Sequence, residues 1–283
     1  MEAPFDRRLR RLRRDRAAPR FGEADYLFRA AADELIERLA MVRRDFRRAL
    51  DLGCAGGYLT GRLREHGLEI VPADAGAAFA VSADGVQAEE DRLPFEPQSF
   101  DLVVSVGVLD TVNDLPGALI QIRRALRPDG LFLGAFAGAG SLSKLKRAML
   151  AADAAEGRAA PRIHPQIEVR AAGDLLTRAG FALPVVDVQS LDVRFPHLRR
   201  LVADLRAMGA TNVLAERGPP LTRRGLAAAI AQFESDAEED GKTIERFEIV
   251  HLLGWAPSPD QPKPAARGSG KASLAAALRP PRG

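Results

Sequence analysis

Cysteine is almost missing from this chain of 283 residues, with Cys54 alone. A single cysteine excludes intrachain disulfides and any cysteine-based zinc cluster, and it fits a reducing interior compartment. The four histidines, His66, His164, His197 and His251, show no metal-ligand spacing, so no metal site is expected. Aromatic residues are scarce at 6%. No apolar run approaches the roughly 18 residues of a membrane span, and the start MEAPFDRRLRRLRRDR has no apolar core of a secretory signal. Neither sign of charge is in excess: 41 basic and 38 acidic side chains leave +3, which gives no support for nucleic-acid binding.

What the sequence does have is one informative turn, Ala49-Leu50-Asp51-Leu52-Gly53-Cys54-Ala55-Gly56-Gly57-Tyr58. It reads as a short buried strand entering a glycine-rich loop that opens a helix. Glycine lets the backbone bend sharply and lets a ligand approach it without meeting a Cβ atom. The helix behind the loop offers unpaired N–H groups and a positive dipole end. Asp51, two residues before Gly53, departs from the GxGxxG order of a dinucleotide site. A second strand, 68–73, delivers Asp74 at its end, where an acid about 20 residues on accepts hydrogen bonds from ribose hydroxyls. Cys54 reads as a small filler within the loop.

Alternating short strands and helices along the chain predict a parallel sheet with helices on both faces. Strands are expected at 48–52, 68–73, 85–88, 99–106, 131–136 and 247–255, with a strand pair or one bent strand over 185–193. Between them lie helices at 25–42, 58–66, 115–126, 141–155, 167–179, 197–208 and 221–233. Asn113-Asp114 and Pro116 are suited to a helix start. Residues 1–24 form a basic arm, with seven arginines in 7–16. Leu9 and Leu12 give it only a narrow apolar edge, so a solvated helix is expected. An arm touching acidic lipid or an acidic partner, and an organelle transit peptide, are alternatives. The domain proper is read as 25–256, with lids or insertions at about 137–166 and 196–240, and 257–283 as a flexible tail.

These motifs resemble those of class I S-adenosylmethionine (SAM) methyltransferases: Asp51 with Gly53 and Gly57, Asp74, AEEDRLPFEPQSFDLVVS and ALRPDGLFLGAF. More narrowly the chain is similar to the branch associated with assembly of respiratory complex I, through FDRRL at 5–9, VNDLPGALIQIRRALRPDGLF at 112–132, RAGFALPVVD at 178–187, DLRAMGATN at 204–212 and LLGWAP at 252–257. The resemblance implies a Rossmann-like seven-stranded sheet with an antiparallel last strand, an N-terminal helical arm and C-terminal insertion helices. It implies SAM as cofactor. Asp51, Gly53 and Gly57 would hold its methionine end, Asp74 the ribose and Glu89 and Glu90 the adenine side, with Cys54, Ala55 and, on the fourth strand, Ser105 also assigned to the cofactor.

Two departures stand out. Ala55 replaces the middle loop glycine, which is strained if its φ is positive. Where the branch commonly has histidine and tryptophan after the fourth strand, this chain has Asp110 and Thr111, and Asp110 becomes the candidate catalytic base. The resemblance implies modification of a protein, a subunit of the quinone-reducing arm of complex I, methylation and arginine hydroxylation both being open. A non-catalytic SAM-fold assembly chaperone is one alternative. A small-molecule or acyl-carrier-protein methyltransferase like the biotin-pathway relatives is the other. The bacterial cytoplasm, near the inner membrane face, is the expected location, or the mitochondrial matrix in a eukaryote, with peripheral membrane contact open to Arg7–Arg16.

Overall fold

The computed structural model of the protein describes residues 3–261. Most of the tail expected over 257–283 therefore lies outside the described residues. The chain begins with α1 (Arg7–Ala17), whose N-cap Asp6 accepts the Leu9 N–H, then a 3-10 turn and α2 (Tyr26–Met41). In α2, Leu27, Ala31 and Leu35 recur every four residues and are all buried, the spacing of one helix face.

The Rossmann-like part follows: β1 (Arg48–Leu52), α3 (Tyr58–Glu65), β2 (Glu69–Asp74), α4 (Ala77–Ser82), β3 (Val86–Gln87) and β4 (Phe100–Val106). Next come α5 (Leu115–Ala125), β5 (Leu126–Ala137), α6 (Ser143–Ala155) and α7 (Val169–Arg178). The chain closes with β6 (Ala182–Phe195), α8 (Leu198–Ala207), α9 (Arg223–Glu234) and β7 (Thr243–Trp255). The region 185–193 is thus one long strand rather than a pair, and the short α4 was not foreseen.

The seven strands lie in the order β3-β2-β1-β4-β5-β7-β6. Strands β1 to β5 pair in parallel, whereas β7 inserts antiparallel between β5 and β6. The antiparallel last strand that the resemblance implied is present. Each sheet face buries its own core. On one, Leu35, Leu63, Ala148, Leu201 and Phe233 of the helices pack with Leu102, Val104, Leu131 and Leu133. On the other, Leu119, Ile122 and Leu176 meet Leu50, Leu52, Val103 and Phe132. Strands buried on both faces explain the near-continuous apolar run of 102–106. No described helix is long and apolar enough to cross a membrane.

The expectation of a solvated N-terminal helix is corrected. Arg10 and Arg14 of α1 are 4% and 5% exposed, while Leu12, one of its two leucines, is 41% exposed. The helix is held by what its arginines meet rather than by an apolar stripe.

Candidate cofactor and acceptor site

Sheet order reverses at β1, which has β2 on one side and β4 on the other. The crevice beyond the carboxyl ends of strands at such a switch point is where open α/β sheets bind ligands. Asp51 and the loop at 53–57 leave β1 there, Asp74 ends β2, and Asp110 follows β4. The parallel register, which sets Leu52 beside Ala73 and Ser105, brings these ends to one level.

The loop is built for close approach. Gly53 has φ +84°, and a Cβ there would lie 2.5 Å from Val108 Cγ2. Its N–H and that of Cys54 both donate to the Ala73 carbonyl, at 2.7 and 3.1 Å, tying the turn to β2. Gly57, at φ +76°, is the left-handed N-cap of α3 and leaves open space where a Cβ would stand. Ala55 takes φ +43°, so its methyl is strained, a cost of about 1 kcal/mol relative to glycine. That methyl packs with Ala17, Phe21 and Phe79, and the Ala55 N–H donates to Asp74 Oδ2 at 3.1 Å. Cys54 is buried, and burial pushes its thiol pKa up, which suits a filler and not a nucleophile.

Asp51 is 1% exposed and accepts the Thr60 hydroxyl at 2.6 Å. Burial raises its pKa to about 6, the Thr60 hydrogen bond opposing and the nearby Asp74 adding to the rise. It faces a small cavity of about 20 Å³ lined also by Phe21, Phe28, Gly53, Gly56 and Tyr58.

Beside it lies a larger cavity of about 120 Å³, and Phe28 and Val106 line both. The larger one is walled by Leu27, Met208, Val213, Phe247 and Ile249, with Asp110 and His164 among its few polar groups. Burial raises the Asp110 pKa to about 6, partly offset by a backbone hydrogen bond and by Arg10 and Arg14. Burial holds the His164 pKa down at about 4, helped by Arg13. His164 Nε2 accepts the Val213 N–H at 2.8 Å and its ring meets Phe5 edge-on, so it is a neutral structural link.

The remaining acids are all engaged by α1. Asp74 accepts Arg14 Nε at 2.7 Å and Nη2 at 2.5 Å, besides the N–H groups of Ala55 and Gly76. Glu90 accepts Arg10 Nη1 and Nη2 at 2.8 and 2.7 Å. Glu89 meets Arg10 and Arg11, and Asp91 pairs with Arg7. Burial opposes the charge on Arg10 and Arg14, but Glu90 and Asp74 outweigh it and both pKa values rise.

Of the residues expected at the site, Asp51, Gly53, Cys54, Ala55, Gly57, Asp74 and Asp110 come together. Ser105 does not line either cavity. It alternates with Val104 and Val106, which face the cavity side of the sheet, and its buried hydroxyl has no partner. Glu89 and Glu90 are present but turned to α1. The arginines of α1 and Phe28 were missed as site residues. A signal existed for the first, since Arg7, Arg10, Arg11 and Arg14 repeat at the spacing of one helix face.

The switch-point loop, the strand-end acids and the seven-stranded sheet define a class I methyltransferase fold. A solved SAM-dependent methyltransferase of Thermotoga maritima shares it, with TM-score 0.53 at 15% identity over 87% of this chain and 99% of that one. The methyltransferase domain family matches residues 24–184. The chain is also 38% identical over 282 residues to the mitochondrial arginine-hydroxylase NDUFAF5 of Mus musculus, covering 95% of this chain and 82% of that protein. It is 34% identical over 267 residues to a malonyl-[acyl-carrier protein] O-methyltransferase of Halorhodospira halophila, covering 89% and 88%. The chain belongs to the class I methyltransferase superfamily and, within it, to the NDUFAF5 arginine-hydroxylase branch. Its cofactor is S-adenosyl-L-methionine, that of the methyltransferase domain.

The residues present fit that cofactor unevenly. At the methionine end the glycine cradle and the Asp51 carboxylate suit an amino-acid group as they stand. At the adenosine end the acids are of the right type, and α1 holds them.

Proposed function

We propose that this chain holds SAM between β1, β2 and β4 and modifies a cationic protein side chain in the adjoining cavity, as part of respiratory complex I assembly. The observation that carries this reading is Asp110, a carboxylate facing a mostly apolar cavity that shares the walls Phe28 and Val106 with the cradle. A buried carboxylate is costly alone and is relieved by an opposite charge. An arginine or lysine side chain supplies that charge on an apolar stem, which Leu27, Met208 and Ile249 can cover. Arg10 and Arg14 also border the cavity, but their charges are taken by Glu90 and Asp74.

A malonyl carboxylate would meet Asp110 as a like charge, so the site favours a protein substrate over the acyl-carrier chemistry of the other relatives. The similarity to NDUFAF5 supports the same choice, with 38% identity over 95% of this chain against 34% over 89% for the acyl-carrier relative. When bound, SAM supplies a sulfonium-activated methyl group. Asp51, Gly53 and Gly57 would bind its methionine end, and Asp74 its ribose. Phe28 and Val106 would keep water from the junction of the two cavities. Asp110, with a pKa of about 6, can accept a proton from an acceptor nitrogen or oxygen near neutral pH.

The test is mass spectrometry of the quinone-arm subunits of complex I from cells with and without this chain. A methyl or an oxygen gained on one side chain only when the chain is present is the expected result. Unmodified subunits together with absent SAM binding in calorimetry would leave the second reading, a non-catalytic assembly factor. That reading is favoured by one observation: every acceptor position of Asp74 is already filled.

A further inference from the structure

The stripe Arg7, Arg10, Arg11 and Arg14 meets Asp91, Glu90, Glu89 and Asp74 rung by rung along the cleft edge. The pairs at its inner end are the most buried, with Asp74 0% and Glu90 1% exposed. A carboxylate offers about four lone-pair directions. Asp74 uses all of them, two for Arg14 and one each for the Ala55 and Gly76 N–H groups. The two backbone bonds belong to the cradle loop and to the turn that follows β2. Only the Arg14 bonds can be given up, so a ribose hydroxyl can donate to Asp74 only in their place. The 3-10 turn that follows α1 carries Phe21, which stands over the loop: a Cβ on Gly56 would lie 2.9 Å from the Phe21 ring.

We propose that α1 is a built-in competitor for the adenosine end of the cofactor site. Docked α1 and bound SAM exclude each other at Asp74, and cofactor entry requires Arg14, then Arg10, to withdraw. This rests on the assignment of Asp74 to the ribose. The docking is mainly ionic, and this makes it reversible. Separating α1 from the cleft returns two buried carboxylates and two guanidinium groups to water or to cofactor hydroxyls, which offsets much of the lost pairing. The apolar cover that must be lifted is small, since Leu12 is already exposed and Leu9 only half-buried. The helix is tethered at both ends rather than free. Asp6 N–H donates to the Val213 carbonyl at 2.8 Å at the start, and Ala17 packs with Phe79 at the end. Withdrawal is therefore a hinged movement and not a dissociation.

Two measurements on the full-length chain test this. Hydrogen exchange of the wild type, with and without saturating SAM, should show faster exchange over 7–17 in its presence. Slower or unchanged exchange there would overturn the proposal and make α1 a lid that closes over the cofactor. Calorimetry with SAM should give about tenfold tighter binding for Arg14→Gln than for wild type, because the competent fraction no longer competes with docking. Equal or weaker binding by the folded variant, with wild type binding normally, would refute competition and leave the cofactor site standing. No binding by either chain would overturn both. If Arg14→Gln does not fold, the exchange experiment on wild type decides alone.

Discussion

Asn113 grips the backbone of Phe5 from both sides: it accepts the Phe5 N–H at 2.8 Å and donates to the Phe5 carbonyl at 3.0 Å. A residue 108 positions away thereby fixes where α1 begins. Asp114, not Asn113, caps α5, accepting the Gly117 N–H at 2.9 Å. Replacing Asn113 with alanine should therefore leave α5 intact and free the start of the chain. We expect a loss of about 1–3 kcal/mol in urea denaturation, from two hydrogen bonds and the half-buried backbone groups they satisfied. Exchange protection should fall over 5–17 and stay unchanged over 115–125. Unchanged stability would mean that the clasp is dispensable.

The Arg14–Asp74 pair makes a plain alanine test of Asp74 ambiguous. From the sequence alone, Asp74→Ala is expected to abolish SAM binding and spare the fold. With Arg14 buried opposite, that substitution leaves an unpaired guanidinium and should cost about 3–5 kcal/mol. Adding Arg14→Met should recover much of the loss, since a hydrophobic replacement of both partners removes the stranded charge. A double-mutant cycle by chemical denaturation measures this; purely additive losses would show that the two residues are not coupled.

Asp51 gives opposite pH dependences for stability and for binding. Its folded pKa of about 6 lies above the unfolded value near 4, so the folded state binds the extra proton between them. Its contribution to stability is full below about pH 4 and is lost as the pH rises through 6. Asp51→Asn should gain on wild type by up to roughly 3 kcal/mol across that range, two pKa units at about 1.4 each. SAM affinity of the wild type should instead rise from pH 5 to 7, as the carboxylate becomes available to a cationic amino group. A pH-independent stability difference between the two chains would place the titration elsewhere.

Much of the sheet was legible because its signals are local. The buried runs at 49–52 and 102–106 and the cap at Asp114 each act within a few residues, and each element formed near where it was expected. The cradle was legible for the same reason, since Gly53, Gly57 and Asp51 sit on one turn. The short α4, with only six residues, carries too few periods to be read. The strand observed over 182–195, where a pair or one bent strand is expected over 185–193, is continuous because it pairs with β7 almost throughout, a long-range contact invisible in its own residues.

By itself, then, the sequence determined the switch-point loop, the acids at 51 and 74, and the alternation that builds a class I methyltransferase sheet, because these depend on backbone propensity and side-chain period. It also held both halves of the arginine and carboxylate ladder. Only the tertiary structure decided that the two halves meet, Arg14 and Asp74 being 60 positions apart. Composition near charge balance conceals such pairing: an arginine reads the same whether water or a buried carboxylate satisfies it, and the choice is made by the packing that excludes the water.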